Sequence, residues 1–227
     1  MSERSERTGG YSADRVAGGR SGARPAGTNV LLASRNAKKL AELRRILEPN
    51  VPGIDVLGLD DVTRYDEVPE SGATFADNAL IKAREGYLRT GLPTVADDSG
   101  LTVDALNGMP GVLSARWAGR HGDDEANLRL VLDQVSDVPD DRLGAAFVCA
   151  AAFVSDGGEV VVEGTMPGRL VREPRGSNGF GYDPIFLPDG VDRTSAELDS
   201  TTKDQISHRG KALRALLPHL EKALGST

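Results

Sequence analysis

The stretch Thr94-Val95-Ala96-Asp97-Asp98-Ser99-Gly100 organises the chain. Small and apolar residues run into two adjacent carboxylates, a hydroxyl and a glycine, and Leu101-Thr102-Val103 then resumes a β-like run. A short apolar run bounded by turn formers reads as a buried strand. Side chains on a strand alternate between its faces, so Asp97 and Asp98 cannot both point inward, and one is aimed at whatever the strand end faces. Carboxylates at the end of a buried strand cost free energy unless paired, hydrogen-bonded or bound to metal. The competing reading is a polar turn between two strands, because Asp, Ser and Gly are common turn residues.

Upstream, Asn29 to Ala33 reads as a first buried strand. Leu40, Leu43, Ile46 and Leu47 then recur at helical spacing until Pro49, Pro52 and Gly53 break the pattern. Ile54 to Leu57 is a second short strand. Thr74, with Asp77 three residues on, has the form of a capping box. The helix it opens carries an apolar stripe of Phe75, Ala79, Leu80, Ala83, Tyr87 and Leu88, and Gly91 and Pro93 close it. Downstream, Asn107 to Gly111 is a loop and Asp123 starts a helix with Leu128, Val131 and Val135 on one face. Leu143 to Val154 and Val160 to Thr165 read as paired strands around a hairpin turn at Asp156-Gly157-Gly158. Gly168 to Val171 reads as one more strand, and Pro184 to Leu187 follows a glycine-rich loop. Ser200 is expected to cap a short helix to Ile206, and a final helix runs from His208 to about Leu220. Early alternation of strands and helices, followed by a hairpin, argues for an α/β fold with a mixed sheet.

With 227 residues the chain can form one domain or two small lobes around a sizeable core. Residues 1–28 are rich in Ser, Arg and Gly and poor in apolar side chains, so a disordered extension is expected ahead of a folded domain over 29–222. A formal net charge of -7 argues against a nucleic-acid-binding module, which needs a basic face. It leaves room for a small anionic substrate, because local cations outweigh the global sign. Cys149 is the single cysteine, which excludes an intramolecular disulfide and reads as a core thiol. No apolar run reaches membrane-spanning length and no secretory h-region precedes the domain, so the cytoplasm is the expected compartment.

Several other segments carry chemistry. Ser34, Asn36, Lys38 and Lys39 sit at a helix N-terminus, where free N–H groups and the dipole favour an anion. The plainer alternative there is a capped, lysine-bearing surface helix. Glu70 either complements the dipole of the helix after it or faces Asp98, and paired carboxylates of that kind hold Mg²⁺ while leaving waters for phosphate oxygens. Gly179-Phe180-Gly181-Tyr182-Asp183 sets two aromatics between glycines, able to stack on a nucleobase or to serve as core around a turn. Lys203, Ser207, His208, Arg209 and Lys211 form the dense cationic cluster that carries a histidine, and two of its cations open a helix against the dipole. His121 and His219 read as surface.

Six blocks, occurring in order from Asn29 to Leu220, together carry a resemblance: Ser34 to Lys39, Thr74 to Ala79, Ala96 to Leu101, Pro110 to Trp117, Gly179 to Phe186 and Ile206 to Leu213. The chain resembles the inosine/xanthosine triphosphate pyrophosphatases, which act on non-standard purine triphosphates. The resemblance implies a two-lobed α/β fold with a long central mixed β-sheet, a nucleotide cleft between the lobes and a homodimer. It also implies Mg²⁺-dependent hydrolysis of ITP, dITP and XTP to monophosphate and pyrophosphate. By position, Ser34, Arg35, Asn36, Ala37, Lys38 and Lys39 fall on the family's triphosphate-binding motif, and Arg35 stands where a glycine is often seen. Asp98 falls on the proposed proton acceptor and metal ligand, Ser99 on a substrate contact and Glu70 on a second metal-binding carboxylate. Phe180, Gly181, Tyr182 and Asp183 fall on the base-binding loop, and Lys203, His208 and Arg209 on further substrate contacts. Two other readings stand beside this one, a related Maf-like pyrophosphatase acting on other nucleotides and a nucleotide sensor without catalysis.

Overall fold

A computed structural model describes residues 28–51, 53–66 and 68–224. Apart from Thr28, the expected N-terminal extension lies outside the described residues. The elements are β1 (Thr28–Leu32), α1 (Ala37–Leu47), β2 (Ile54–Leu57), α2 (Phe75–Thr90), β3 (Thr94–Val103), α3 (Asp124–Gln134), β4 (Gly144–Ser155), β5 (Gly158–Leu170), β6 (Phe186–Pro188), α4 (Ser200–Ile206) and α5 (His208–Leu224). The six strands form one curled mixed sheet in the order β2-β1-β3-β4-β5-β6. β1 pairs in parallel with β2 and β3, and β3 through β6 pair antiparallel. The expected α/β architecture, with a mixed sheet flanked by helices, is therefore present.

β3 corrects the opening expectation. Asp97 and Asp98 do not close a strand, and Ser99-Gly100 is not a turn. Ten residues run without interruption against β4, with Asp98 opposite Ala150 and Gly100 opposite Val148. The ladder supplied by β4 outweighs the local turn preference of Ser and Gly. Likewise Gly168 to Leu170 is the end of β5 rather than a separate strand. Asp199, not Ser200, caps α4, its carboxylate accepting from Thr202 N at 2.9 Å. Leu88 leaves the α2 stripe and is 75% exposed.

Strand alternation sorts the core. On one face Val95, Cys149, Ala151 and Phe153 pack with Val30 and Leu32 under α1 and α5, against Leu43, Leu47, Leu213 and Leu216. Farther along the same face Leu101, Val103 and Phe147 pack with Met166, Phe186 and the Leu128–Val131 side of α3. The opposite face is lined by Ala96, Ala150 and Ala152 and covered by Ala79 and Ala83 of α2. Small residues bring α2 close: a Cβ on Gly86 would stand 2.8 Å from Thr94 Cγ2. Burying each large apolar side chain contributes roughly 1.5–3 kcal/mol. Between the two clusters of the first face the apolar surface parts, and there Ser99 of β3 meets a cleft.

Candidate active site

The capping box read from the sequence places the first part of the site. Thr74 Oγ1 accepts from Asp77 N at 3.1 Å, and Asp77 Oδ2 accepts from Thr74 N at 3.1 Å. This start sets the phase of α2, so that Asn78 and Lys82, one turn apart, face β3. Asn78 Nδ2 donates to Asp98 Oδ2 at 2.9 Å, and Ser99 N donates to Asp98 Oδ1 at 3.0 Å. Lys82 Nζ lies 3.7 Å from Asp98 Oδ1 and 2.7 Å from Glu70 Oε1. Arg116 Nη1 lies 3.6 Å from the other Glu70 oxygen. Glu70 thus faces Asp98 across a shared lysine.

Burial and the neighbouring Glu70 charge push the Asp98 carboxyl above its ordinary range, against the pull of Lys82 and the Asn78 hydrogen bond. Burial also pushes Glu70 up, but Lys82, Lys39 and Arg116 more than offset it and leave Glu70 below the usual range. Burial pulls the Lys82 ammonium down, and the charges of Asp98, Asp97 and Glu70 outweigh that, so its pKa is raised.

Asp97 points the other way. Its Oδ2 lies 2.8 Å from Lys39 Nζ and accepts from Arg209 Nε at 3.1 Å. Arg209 also donates through Nη1 to Glu42 Oε2 at 2.9 Å and through Nη2 to Ser99 Oγ at 3.0 Å. Two cations at the first turns of α1 and α5 are thereby matched by buried acids, which resolves why a charge that opposes the helix dipole begins α5. Burial works against the Asp97 charge, yet Lys39, Arg209 and Lys82 hold its carboxyl well below the usual range.

Beyond Arg209 opens a cleft of about 640 Å³ lined by Lys38, Ser99, Phe180, Gly181, Tyr182, Asp183, Lys203, His208 and Arg209. Lys38 Nζ donates to Gly179 O at 2.9 Å, tying α1 to the glycine-rich loop. Lys38, Lys203 and Arg209 place cationic centres 5.4, 5.7 and 5.8 Å from the Phe180 ring centroid. Asp183 Oδ2 binds Lys203 Nζ at 2.5 Å and accepts from Phe180 N at 2.8 Å. Gly179, at φ +76°, takes a conformation that L side chains avoid. Tyr182 is buried, donating to Ser114 O at 2.8 Å, so its ring belongs to the core. His208 stacks on Phe147 with centroids 4.9 Å apart, and its Nδ1 is buried without a partner. Burial, then the charges of Arg209 and Lys203, hold its imidazole well below its ordinary pKa and therefore neutral at pH 7.

The Ser34–Lys39 segment divides. Asn36 Oδ1 accepts from Lys38 N and Lys39 N at 3.0 and 3.3 Å, and Ser34 Oγ accepts from Asn36 N at 3.2 Å. These oxygens cap α1. Ala37 opens that helix, and only Lys38 of the segment lines the cleft. Arg35 turns toward Tyr65 O at 3.2 Å and Asp60 at 3.7 Å. Asn78, Lys82, Glu42 and Arg116 were not among the residues singled out for chemistry. For three of them the signal is helical spacing, because Asn78 and Lys82 recur at i, i+4 and Glu42 follows Lys38 likewise, whereas Arg116 has none.

A model of the Ham1 family matches residues 30–219, most of the described fold. The chain belongs to the Ham1 family. Among relatives of this Ham1 chain, a protein of Nocardia farcinica named dITP/XTP pyrophosphatase is 65% identical over 193 residues, covering 84% of this chain and 94% of the relative. One of the same name from Mycobacteroides abscessus gives the same identity and coverage. A crystal structure titled as a nucleoside-triphosphatase / dITP/XTP pyrophosphatase from Mycobacterium abscessus matches at TM-score 0.70 and 64% identity, over 84% of this chain and 99% of that one. A HAM1 protein from Coxiella burnetii matches at TM-score 0.77 and 42% identity, over 86% and 98%.

The donor chemistry of the acidic pair suits a hard divalent cation. Mg²⁺ takes oxygen ligands, commonly one or two carboxylates completed by water and substrate phosphates. Glu70 and Asp98 offer that set, and among the described residues no cluster of three or more His, Cys, Asp or Glu offers a denser one.

Proposed function

We propose that the chain hydrolyses dITP, ITP and XTP to the monophosphate and pyrophosphate, clearing deaminated purines from nucleotide pools. The observation that carries this is the Asp98 carboxylate, hydrogen-bonded by Asn78 and raised in pKa, one residue before Ser99, which lines a cleft rimmed by cations. A carboxylate made more basic by burial is a better proton acceptor for an attacking water. The names of the relatives support the substrate class. Glu70 and Asp98 would hold Mg²⁺, which would neutralise charge developing on the phosphates. Lys39, on Asp97, and Lys38, on Gly179 O, stand on the first turn of α1 and are assigned to attracting a triphosphate.

The purine is assigned to the cleft, over Phe180, with Asp183 and Lys203 shaping the loop beneath it. At purine position 6 a keto oxygen accepts where an amino group donates. Donors at His208 or Arg209 would satisfy the former and mispair the latter. Activity is assigned to residues 29–222, acting as a homodimer in the cytoplasm. No described helix is long and apolar enough to cross a membrane.

Pyrophosphate release across ATP, GTP, ITP, XTP and dITP, with and without Mg²⁺, tests the reading. Release from dITP, ITP and XTP, only with metal, is expected. Asp98→Asn should abolish release with the circular dichroism spectrum unchanged, and near wild-type turnover by that variant removes Asp98 from the mechanism.

A further inference from the structure

The Lys82 ammonium lies between the two carboxylates that would hold a divalent cation. Its Nζ donates to Glu70 Oε1 at 2.7 Å and lies 3.7 Å from Asp98 Oδ1. The remaining oxygen of each carboxylate is held elsewhere, Asp98 Oδ2 by Asn78 at 2.9 Å and Glu70 Oε2 by Arg116 at 3.6 Å. Glu70 Oε1 and Asp98 Oδ1, the latter also accepting from Ser99 N at 3.0 Å, are thus the two oxygens on the side of the ammonium. The lysine side chain is only 15% exposed, and Asn78, one turn earlier on α2, fixes the partner acid from the same helix face.

The geometry points to Lys82 as a resident counter-ion that bars free divalent metal from the Glu70–Asp98 pair until a nucleotide brings the metal in. Two partly buried carboxylates this close repel unless a cation lies between them. A tethered ammonium meets that need at high effective concentration. A free cation must displace it, and the ammonium then remains largely buried with no anion to replace the two it lost. A triphosphate changes the balance, because its oxygens give the displaced Lys82 a new anionic partner while sharing the metal. Metal and nucleotide then bind with positive coupling, a reciprocal effect on both affinities. This rests on reading Glu70 and Asp98 as the metal-binding pair.

Mn²⁺ binding to the nucleotide-free full chain, followed by the electron paramagnetic resonance of free Mn²⁺, tests the proposal. Lys82→Met should bind Mn²⁺ about 10-fold or more tighter than wild type, a change of the size that residues around a ligand set produce. Lys82→Arg, which keeps the charge, should bind as weakly as wild type. An imido analogue of dITP should raise the Mn²⁺ affinity of wild type and have much less effect on Lys82→Met. Adding Glu70→Gln to Lys82→Met should abolish the gain. Equal affinity of wild type and Lys82→Met without nucleotide overturns the proposal, and so does a gain that survives Glu70→Gln. The native near-ultraviolet spectrum of Lys82→Arg guards against misfolding at this position. Failure of wild type to release pyrophosphate from dITP would instead sink the functional reading and leave these affinities interpretable.

Discussion

Asp97→Asn removes the acid that binds two cations on the inner face of β3. Asp97 is 3% exposed and Arg209 4% exposed. The substitution keeps the shape and leaves Arg209 with Glu42 as its sole charged partner and Lys39 with the Asp97 carbonyl at 3.5 Å. Lys39, at 15% side-chain exposure, can turn toward water, whereas Arg209 cannot. The larger cost therefore falls on Arg209. Breaking a buried pair by removing one partner costs about 3–5 kcal/mol. For a chain of this size that lowers Tm by roughly 6–20 °C. The Asp97 carboxyl titrates well below the unfolded value, so its stabilisation is present above about pH 3.9 and is lost as pH falls through the folded value. The variant lacks it at every pH. Urea unfolding followed by the fluorescence of Trp117, the single tryptophan, measures the change. Arg209→Met strands Glu42 and leaves Asp97 with Lys39. The double variant should cost less than the sum of the two, by about 0.5–3 kcal/mol. A loss under about 0.5 kcal/mol for Asp97→Asn, or strict additivity, would refute the account of this cluster.

Gly100→Ala should destabilise by about 1–3 kcal/mol, because the added Cβ would press on Ser114 and stand 2.6 Å from Gly111 O. It should also weaken substrate binding, since Ser114 lines the cleft, and a Tm equal to wild type would show that Ser114 yields freely. His208 is neutral when folded and has an ordinary pKa of about 6.5 when unfolded. Between those values the unfolded chain binds the extra proton, so stability falls as pH drops below about 6.5, with a slope approaching ~1.4 kcal/mol per pH unit. His208→Gln should flatten that part of the stability profile, and an unchanged slope in urea titrations from pH 7 to 5 would exclude His208 as its source.

The helix boundaries were legible because their signals are local. Thr74 and Asp77 predict α2 within one residue, and Asp123 accepts from Ala126 N at the start of α3 as its side chain suggests. The hairpin at Asp156-Gly157 was legible for the same reason, since β4 and β5 meet there with Ser155 opposite Gly158. What escaped depends on partners distant in sequence. Ser99-Gly100 resembles a turn until β4 is laid beside it, and Gly100 exists because Ser114 and Gly111 press against that position. Gly164 and Gly168 fall in runs that read as strands, but the sequence does not say why glycine stands at either place in β5. They allow His208 O of α5 and Leu187 O of β6 to approach where no Cβ would fit. In the site, Asp98 and Arg209 were legible as residue types in motifs. Their partners Lys82 and Glu42 were hidden among ordinary charged helix residues, because charge alone does not say which face of a helix is covered.

Adjacent acids on one strand acquire opposite character because the pleat sends them to different surroundings. Asp97 enters a space already holding Lys39 and Arg209, and its charge is fixed there as an anchor. Asp98 enters a space holding another acid, a neutral amide and one lysine, and its proton affinity rises. A one-residue slip of β3 against β4 would exchange these environments. The ten-residue register with β4 is therefore part of the chemistry, since it decides which carboxylate can accept a proton. Ser99 joins the two halves, its N–H on Asp98 and its hydroxyl on Arg209. A disturbance of the Arg209 cluster in Asp97→Asn is therefore expected to reach Asp98 through Ser99 and to move the acid limb of the pH–rate profile. An unchanged acid limb of the pH–rate profile in Asp97→Asn would show that the two faces act independently.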